Sequence, residues 1–159
     1  ADELAAANIP VIVDPFINLP YSFSQLGATA ENAARLIEAG VVTAICHMDD
    51  DSHQARLVLQ NAGNAVANGV SFDDAMASIT TAPADIFGIK DTGRLEGGAL
   101  ANLVIWDGDP LEVMTAPEAV YINGTSQKME SRQTELLARY ISLERGDLPF
   151  SYSHAATQD

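Results

Sequence analysis

The stretch Val41-Val42-Thr43-Ala44-Ile45-Cys46-His47-Met48-Asp49-Asp50-Asp51-Ser52-His53 decides how this chain is read. Its first six residues are apolar or β-branched with no polar alternation, the pattern of a strand buried on both faces. A cluster of polar and acidic residues then sits immediately beyond the strand's C-terminal end. Working back, Val11-Ile12-Val13 follows Pro10 and is closed by Asp14-Pro15, which reads as a second strand buried on both faces. Between the two, Thr29 is placed to cap a helix carrying Ala33, Leu36 and Ile37 on one face, with Gly40 as its stop. Strand, helix, strand is the parallel crossover unit, so the first half is α/β. The loop from Phe16 to Ala28, with Pro20 and Gly27, exceeds the usual connection length, and long ordered loops in such folds often carry function. The opening residues, Ala1 to Ala7, read as the interior of a helix with no initiator Met, as expected of a truncated chain.

Working forward, the spacing of Leu59, Ala62 and Val66 predicts a helix from about Ser52 to Asn68, ended by Gly69. Ser71-Phe72-Asp73-Asp74 is a variant capping box opening a helix through Met76 and Ile79. Thr81 is placed to cap a further short helical turn, with Pro83 near its start and Gly88 at its exit. Near Gly93 the helical period stops. Leu103-Val104-Ile105-Trp106, the turn Asp107-Gly108-Asp109-Pro110, and Ala119 to Ile122 running into Asn123-Gly124 predict a small β-subdomain with a type I′ hairpin. Helical spacing returns from Glu130 to Leu143, where Leu136, Leu137, Tyr140 and Ile141 are available to dock. These changes divide the chain at 1–92, 93–126 and 127–159.

Composition excludes several classes. At 159 residues and 47% hydrophobic, the chain can bury a core of its own, and no apolar run approaches a membrane span. A soluble protein is expected, in the cytoplasm or periplasm. The net charge of -14, from 22 acidic against 8 basic residues, argues against nucleic acid or anionic lipid as a partner, because a phosphate-binding face must be positive. The single cysteine, Cys46, excludes an internal disulfide and a cysteine-based structural zinc site. No phosphate loop is present, since Gly97-Gly98 lacks the spacing and the lysine. The acidic run does not make an EF-hand either: Gln54 stands where the sharp-turn glycine is required and Gln60 where the bidentate glutamate belongs.

The stretch Ile79 to Gly88, followed by Gly93-Arg94-Leu95-Glu96-Gly97-Gly98-Ala99-Leu100-Ala101-Asn102-Leu103-Val104-Ile105-Trp106-Asp107-Gly108-Asp109-Pro110, resembles the C-terminal region of the amidohydrolase superfamily, in its imidazolonepropionase-like group. Ala82, Gly97, Ala99 and Asn102 depart from the family's usual Asn, Pro, Lys and Asp, at positions that affect turns and surface contacts more than chemistry. The resemblance implies the C-terminal fragment of a (β/α)8 metal-dependent hydrolase barrel plus part of the accompanying small β-sandwich subdomain. Such a barrel needs about 250 residues and carries its active site at the C-terminal strand ends. The histidine pair of the family's first strand has no counterpart here, because the histidines are His47, His53 and His154.

The resemblance further implies an aspartate beyond the last barrel strand that binds a divalent metal, expected to be zinc, and accepts a proton from the attacking water. Counting from Ala44-Ile45 selects Asp49 first, with Asp51 second and Asp50 third. A carboxylate suits both tasks, being anionic beside a cation and able to relay a proton to a leaving nitrogen. His47, His53, Asn18 and Tyr21 are expected to line the substrate cleft. A solvated loop histidine and an acidic helix N-terminus are the plainer readings of the same residues. The implied function is hydrolysis of C–N bonds in a small amide, cyclic amide or dipeptide-like substrate, by the complete polypeptide rather than by these residues alone. The expected partners are that substrate and either the rest of the same chain or a second copy. A non-catalytic, self-associating module is the alternative, because an open sheet edge and an unfilled barrel interior must be covered.

Overall fold

The computed structural model describes residues 1–17, 19–48 and 52–141. The described residues fall into two units, 1–127 and 128–141. In the first, helix α1 (Asp2–Ala6) leads to strand β1 (Val11–Val13), helix α2 (Asn32–Glu38) and strand β2 (Thr43–Ile45). Helices α3 (Val58–Ala67), α4 (Phe72–Ile79) and α5 (Thr81–Phe87) follow, then strands β3 (Leu103–Trp106), β4 (Pro117–Ile122) and β5 (Thr125–Ser126). Strands β1 and β2 pair in parallel, with Val11 opposite Thr43 and Val13 opposite Ile45, so both C-terminal ends open on the same side. Strands β3, β4 and β5 form a separate antiparallel sheet.

The crossover unit read from the sequence is present, with different ends. Helix α2 begins three residues after Thr29, whose Oγ1 instead accepts from the Glu31 N–H in a local turn. Gly40 stops the helix with φ +83°, a conformation that costs glycine nothing. The span Ser52 to Asn68 splits into a 3-10 helix, Ser52–Leu57, followed by α3. Ser71 caps α4 by accepting from the Asp74 N–H at 3.1 Å, and its hydroxyl donates to the Asp74 carboxylate at 2.6 Å. Thr80 rather than Thr81 stands before α5, which leaves through Gly88 in the left-handed region. Asn123 and Gly124 both have positive φ, as a type I′ hairpin requires.

The two parallel strands are not equally covered, contrary to the reading of both as fully buried. All three residues of β2 are buried, whereas Ile12 of β1 is 44% exposed. Helix α4 and helix α5 both pack on β2, and nothing among the described residues covers the far side of Ile12.

The core is built largely from alanine. Ala33, Ala62, Ala65 and Ala75 are completely buried, and with Val13, Ile45 and Val70 they let α2, α3 and α4 approach the strands closely. Leu111, from the turn between β3 and β4, inserts into this cluster and ties the antiparallel sheet to the helices. A Cβ on Gly63 would meet the Leu111 carbonyl oxygen at 3.0 Å, so glycine at this position of α3 admits that insertion.

The second unit contains helix α6 (Arg132–Ile141). It opens on reciprocal bonds in which Ser131 Oγ accepts from Thr134 N and Thr134 Oγ1 accepts from Ser131 N. None of its residues is buried.

Gly93 supplies a stability test. At φ +75° an added Cβ would lie 2.5 Å from the Thr80 carbonyl oxygen, a contact made by rigid backbone. Gly93→Ala is expected to destabilise the chain by about 2 kcal/mol or more in urea unfolding. Gly27→Ala, with open space around the site, is expected to stay within about 1 kcal/mol of the parent.

Candidate functional site

The parallel register delivers Asp14 and Cys46-His47 to the same edge, because each directly follows its strand. The Cys46 N–H donates to the Val13 carbonyl at 3.0 Å, extending the ladder by one bond past β2. Beyond it the two chains part, and Asp14 fills the space between them. Its carboxylate is 3% exposed and accepts three N–H groups. Oδ1 takes the Phe16 N–H at 2.9 Å and Asn61 Nδ2 at 3.1 Å, while Oδ2 takes the Met48 N–H at 2.8 Å. A buried carboxylate without such partners would be several kcal/mol unfavourable. With them it becomes a junction between the loop after β1, the loop after β2 and helix α3.

Asn61 projects from the buried face of α3. Besides Asp14, its Nδ2 donates to the Cys46 carbonyl at 2.9 Å and lies 3.3 Å from His47 Nδ1. His47 Nδ1 is also 3.6 Å from Asp14 Oδ2, longer than a hydrogen bond but close enough for an electrostatic interaction. His47 Nε2 is buried and without a hydrogen-bond partner, and so is Gln54 Oε1 on the other side of the acidic run. Unpartnered buried polar atoms are uncommon in folded proteins and call for an explanation.

Of the residues selected from sequence, His47 lies in this network. Tyr21 stands on the long loop after β1 and is 71% exposed. His53 lies within the 3-10 helix Ser52–Leu57. Asn18, Asp49, Asp50 and Asp51 lie outside the described residues. Among the described residues, no three His, Cys, Asp or Glu side chains come together in a way that could hold a metal ion. Among the described residues, His47 Nε2 is the nitrogen of this network without a hydrogen-bond partner, and Asp14 takes two of its three donors on Oδ1 and one on Oδ2.

Asp14 and Asn61 were not selected from sequence. Asp14 was read as the residue that closes β1, and Asn61 as one more position on a helix. The available signal was positional: an acidic residue at the C-terminal end of one parallel strand beside a polar cluster at the end of its neighbour. Asn61 gave a weaker one, as an amide among Leu59, Ala62 and Val66 on the apolar side of a helix.

Trp106 and Cys46 are both partly buried. Burial pushes the Cys46 thiol above its ordinary value, and the nearby Asp14 carboxylate acts in the same direction. Both effects keep the thiol protonated and a poor nucleophile.

Comparisons with known proteins point one way. Residues 2–134 match the family model described as the amidohydrolase family. The curated protein amidohydrolase tasK of Hapsidospora irregularis is 35% identical over 111 residues, which span 69% of this chain and 11% of that protein. The crystal structure of an amidohydrolase from Thermotoga maritima MSB8 superposes with a TM-score of 0.70 at 30% identity, covering 80% of this chain and 33% of that one. A second amidohydrolase crystal structure has a TM-score of 0.53 at 23% identity, covering 81% and 33%, and is similar in fold. The chain thus spans about a tenth of the curated relative and a third of each structural relative.

Two measurements test the junction. Asp14→Ala removes the acceptor of three N–H groups at once and is expected to cost about 3 kcal/mol or more in chemical denaturation. Combined with Asn61→Ala, the loss should be clearly smaller than the sum of the single losses, because the two side chains share a bond. Alkylation of Cys46 by iodoacetamide at about pH 8 is expected to run several-fold slower in the folded chain than in the same chain in urea, as its raised pKa requires.

Proposed function

The chain belongs to the amidohydrolase family, and from that premise we propose that it is the C-terminal part of a metal-dependent enzyme of the imidazolonepropionase-like group. The substrate class is a small amide, cyclic amide or dipeptide-like molecule, hydrolysed at a C–N bond by the complete polypeptide. In this reading residues 1–92 carry the last two βα units of a (β/α)8 barrel, 93–126 part of a β-sandwich, and 127–159 a C-terminal helix and tail. The observation that carries it is the pair of parallel strands whose C-terminal ends converge on Asp14 and His47, within a segment matching the family from residue 2 to 134. In barrels of this kind that strand end is where the chemistry lies.

The family is generally metal-dependent, and a bound divalent cation, zinc in this proposal, would polarise the scissile carbonyl as a Lewis acid. Among the described residues no group of His, Cys, Asp or Glu could hold a metal ion, so this proposal draws its ligands from Asp49 and Asp51 and from the rest of the complete polypeptide. Asp49 holds the proton taken from the attacking water and returns it to the leaving nitrogen. His47, His53, Asn18 and Tyr21 bind and orient the substrate. The Asp14 junction fixes the backbone at Met48, the residue before Asp49 in the sequence.

The open face of β1, where Ile12 is exposed, and the exposure of Val42 beside it favour a second reading. In it these residues form a non-catalytic module completed by another copy of itself. Light scattering separates the two: an oligomer without metal supports the module, and a monomer counts against it. The enzyme reading is tested in the complete polypeptide by elemental analysis and amide hydrolysis. About one zinc per chain is expected, with Asp49→Asn lowering kcat by about 100-fold or more. Undiminished turnover in that variant would remove the site assignment.

A further inference from the structure

The Asn61 amide carries two hydrogens and lies near three acceptor positions. Its orientation is dictated by chemistry, since the Cys46 carbonyl and the Asp14 carboxylate can only accept. Those two partners, at 2.9 and 3.1 Å, use both hydrogens. None remains for His47 Nδ1 at 3.3 Å. On its other side Nδ1 faces the carboxylate oxygen Oδ2 at 3.6 Å. A lone pair on Nδ1 would point at an anion and gain nothing from Asn61, whereas an N–H there is attracted by the carboxylate. The opposite ring nitrogen gives the same answer. Nε2 is buried without a partner, and a buried N–H left orphaned is rarer than an under-used acceptor.

We propose that Asp14 and Asn61 are positioning residues that hold the His47 imidazole with its proton on Nδ1 and its lone pair on the buried Nε2. The tautomer does not rest on the hydrolase reading above. Asp14 acts through its charge, and Asn61 by occupying the carbonyl and the second carboxylate oxygen so that neither competes for the ring. The arrangement follows the logic by which carboxylates fix the tautomer of working histidines, and it uses two residues of no catalytic contact of their own.

The test is a long-range proton–nitrogen correlation spectrum of the chain labelled with 15N-histidine, at about pH 8.5, well above the ordinary imidazole range. The His47 signals are those lost in His47→Gln. The expected pattern has Nδ1 protonated and Nε2 unprotonated. A ring protonated on Nε2, or divided evenly between the two forms, overturns the proposal. In Asp14→Asn, whose amide can donate to Nδ1, the proton should move to Nε2; a folded variant that keeps it on Nδ1 overturns the role of Asp14. Should that variant fail to fold, the parent spectrum alone decides the tautomer. Absence of amide hydrolysis in the complete polypeptide would sink the enzyme reading and leave this spectrum unchanged, so the two failures are distinct.

Discussion

A carboxylate withdrawn from water must be surrounded by donors, and two of the three that surround Asp14 come from parts of the chain that are distant in sequence. Met48 lies 34 residues away and Asn61 lies 47 residues away. Strands of three residues make few ladder bonds, so β1 and β2 alone fix their relative position weakly. The junction at Asp14 adds a buried, charge-assisted set of bonds where the ladder ends. It aligns the two loops that leave the sheet and anchors α3 beneath them. The placement of His47 depends on that alignment.

The same junction explains the chemical character of this end of the sheet. Burial, reinforced by the Asp14 charge, keeps the Cys46 thiol protonated, while the same carboxylate orients the neighbouring histidine. The chain in which this junction sits belongs to the amidohydrolase family.

Much of the fold was legible because its signals are local. The apolar runs of β1 and β2, the cap at Ser71, the exit at Gly88 and the Asn123-Gly124 hairpin each depend on a few neighbouring residues, and each appears where the sequence placed it. The exposed face of Ile12 was not legible, since a β-branched triplet reads the same whether or not something covers it. Helix α2 starts later than Thr29 suggests because that hydroxyl is satisfied within its own turn. Of the site, His47 could be found from its position after a strand. Asp14 and Asn61 could not, because their importance arises from a contact across 47 residues that no local pattern encodes.

The alanine-rich core has a thermodynamic consequence. Heat-capacity change on unfolding follows the apolar surface that becomes hydrated, and an alanine contributes far less of it than a leucine or phenylalanine would at the same site. With Ala33, Ala62, Ala65 and Ala75 at its centre, this helical layer achieves close approach at the expense of apolar area. Its stability curve is therefore shallow, so its response to cooling is as muted as its response to warming, and its margin rests more on hydrogen-bonded junctions than on hydration.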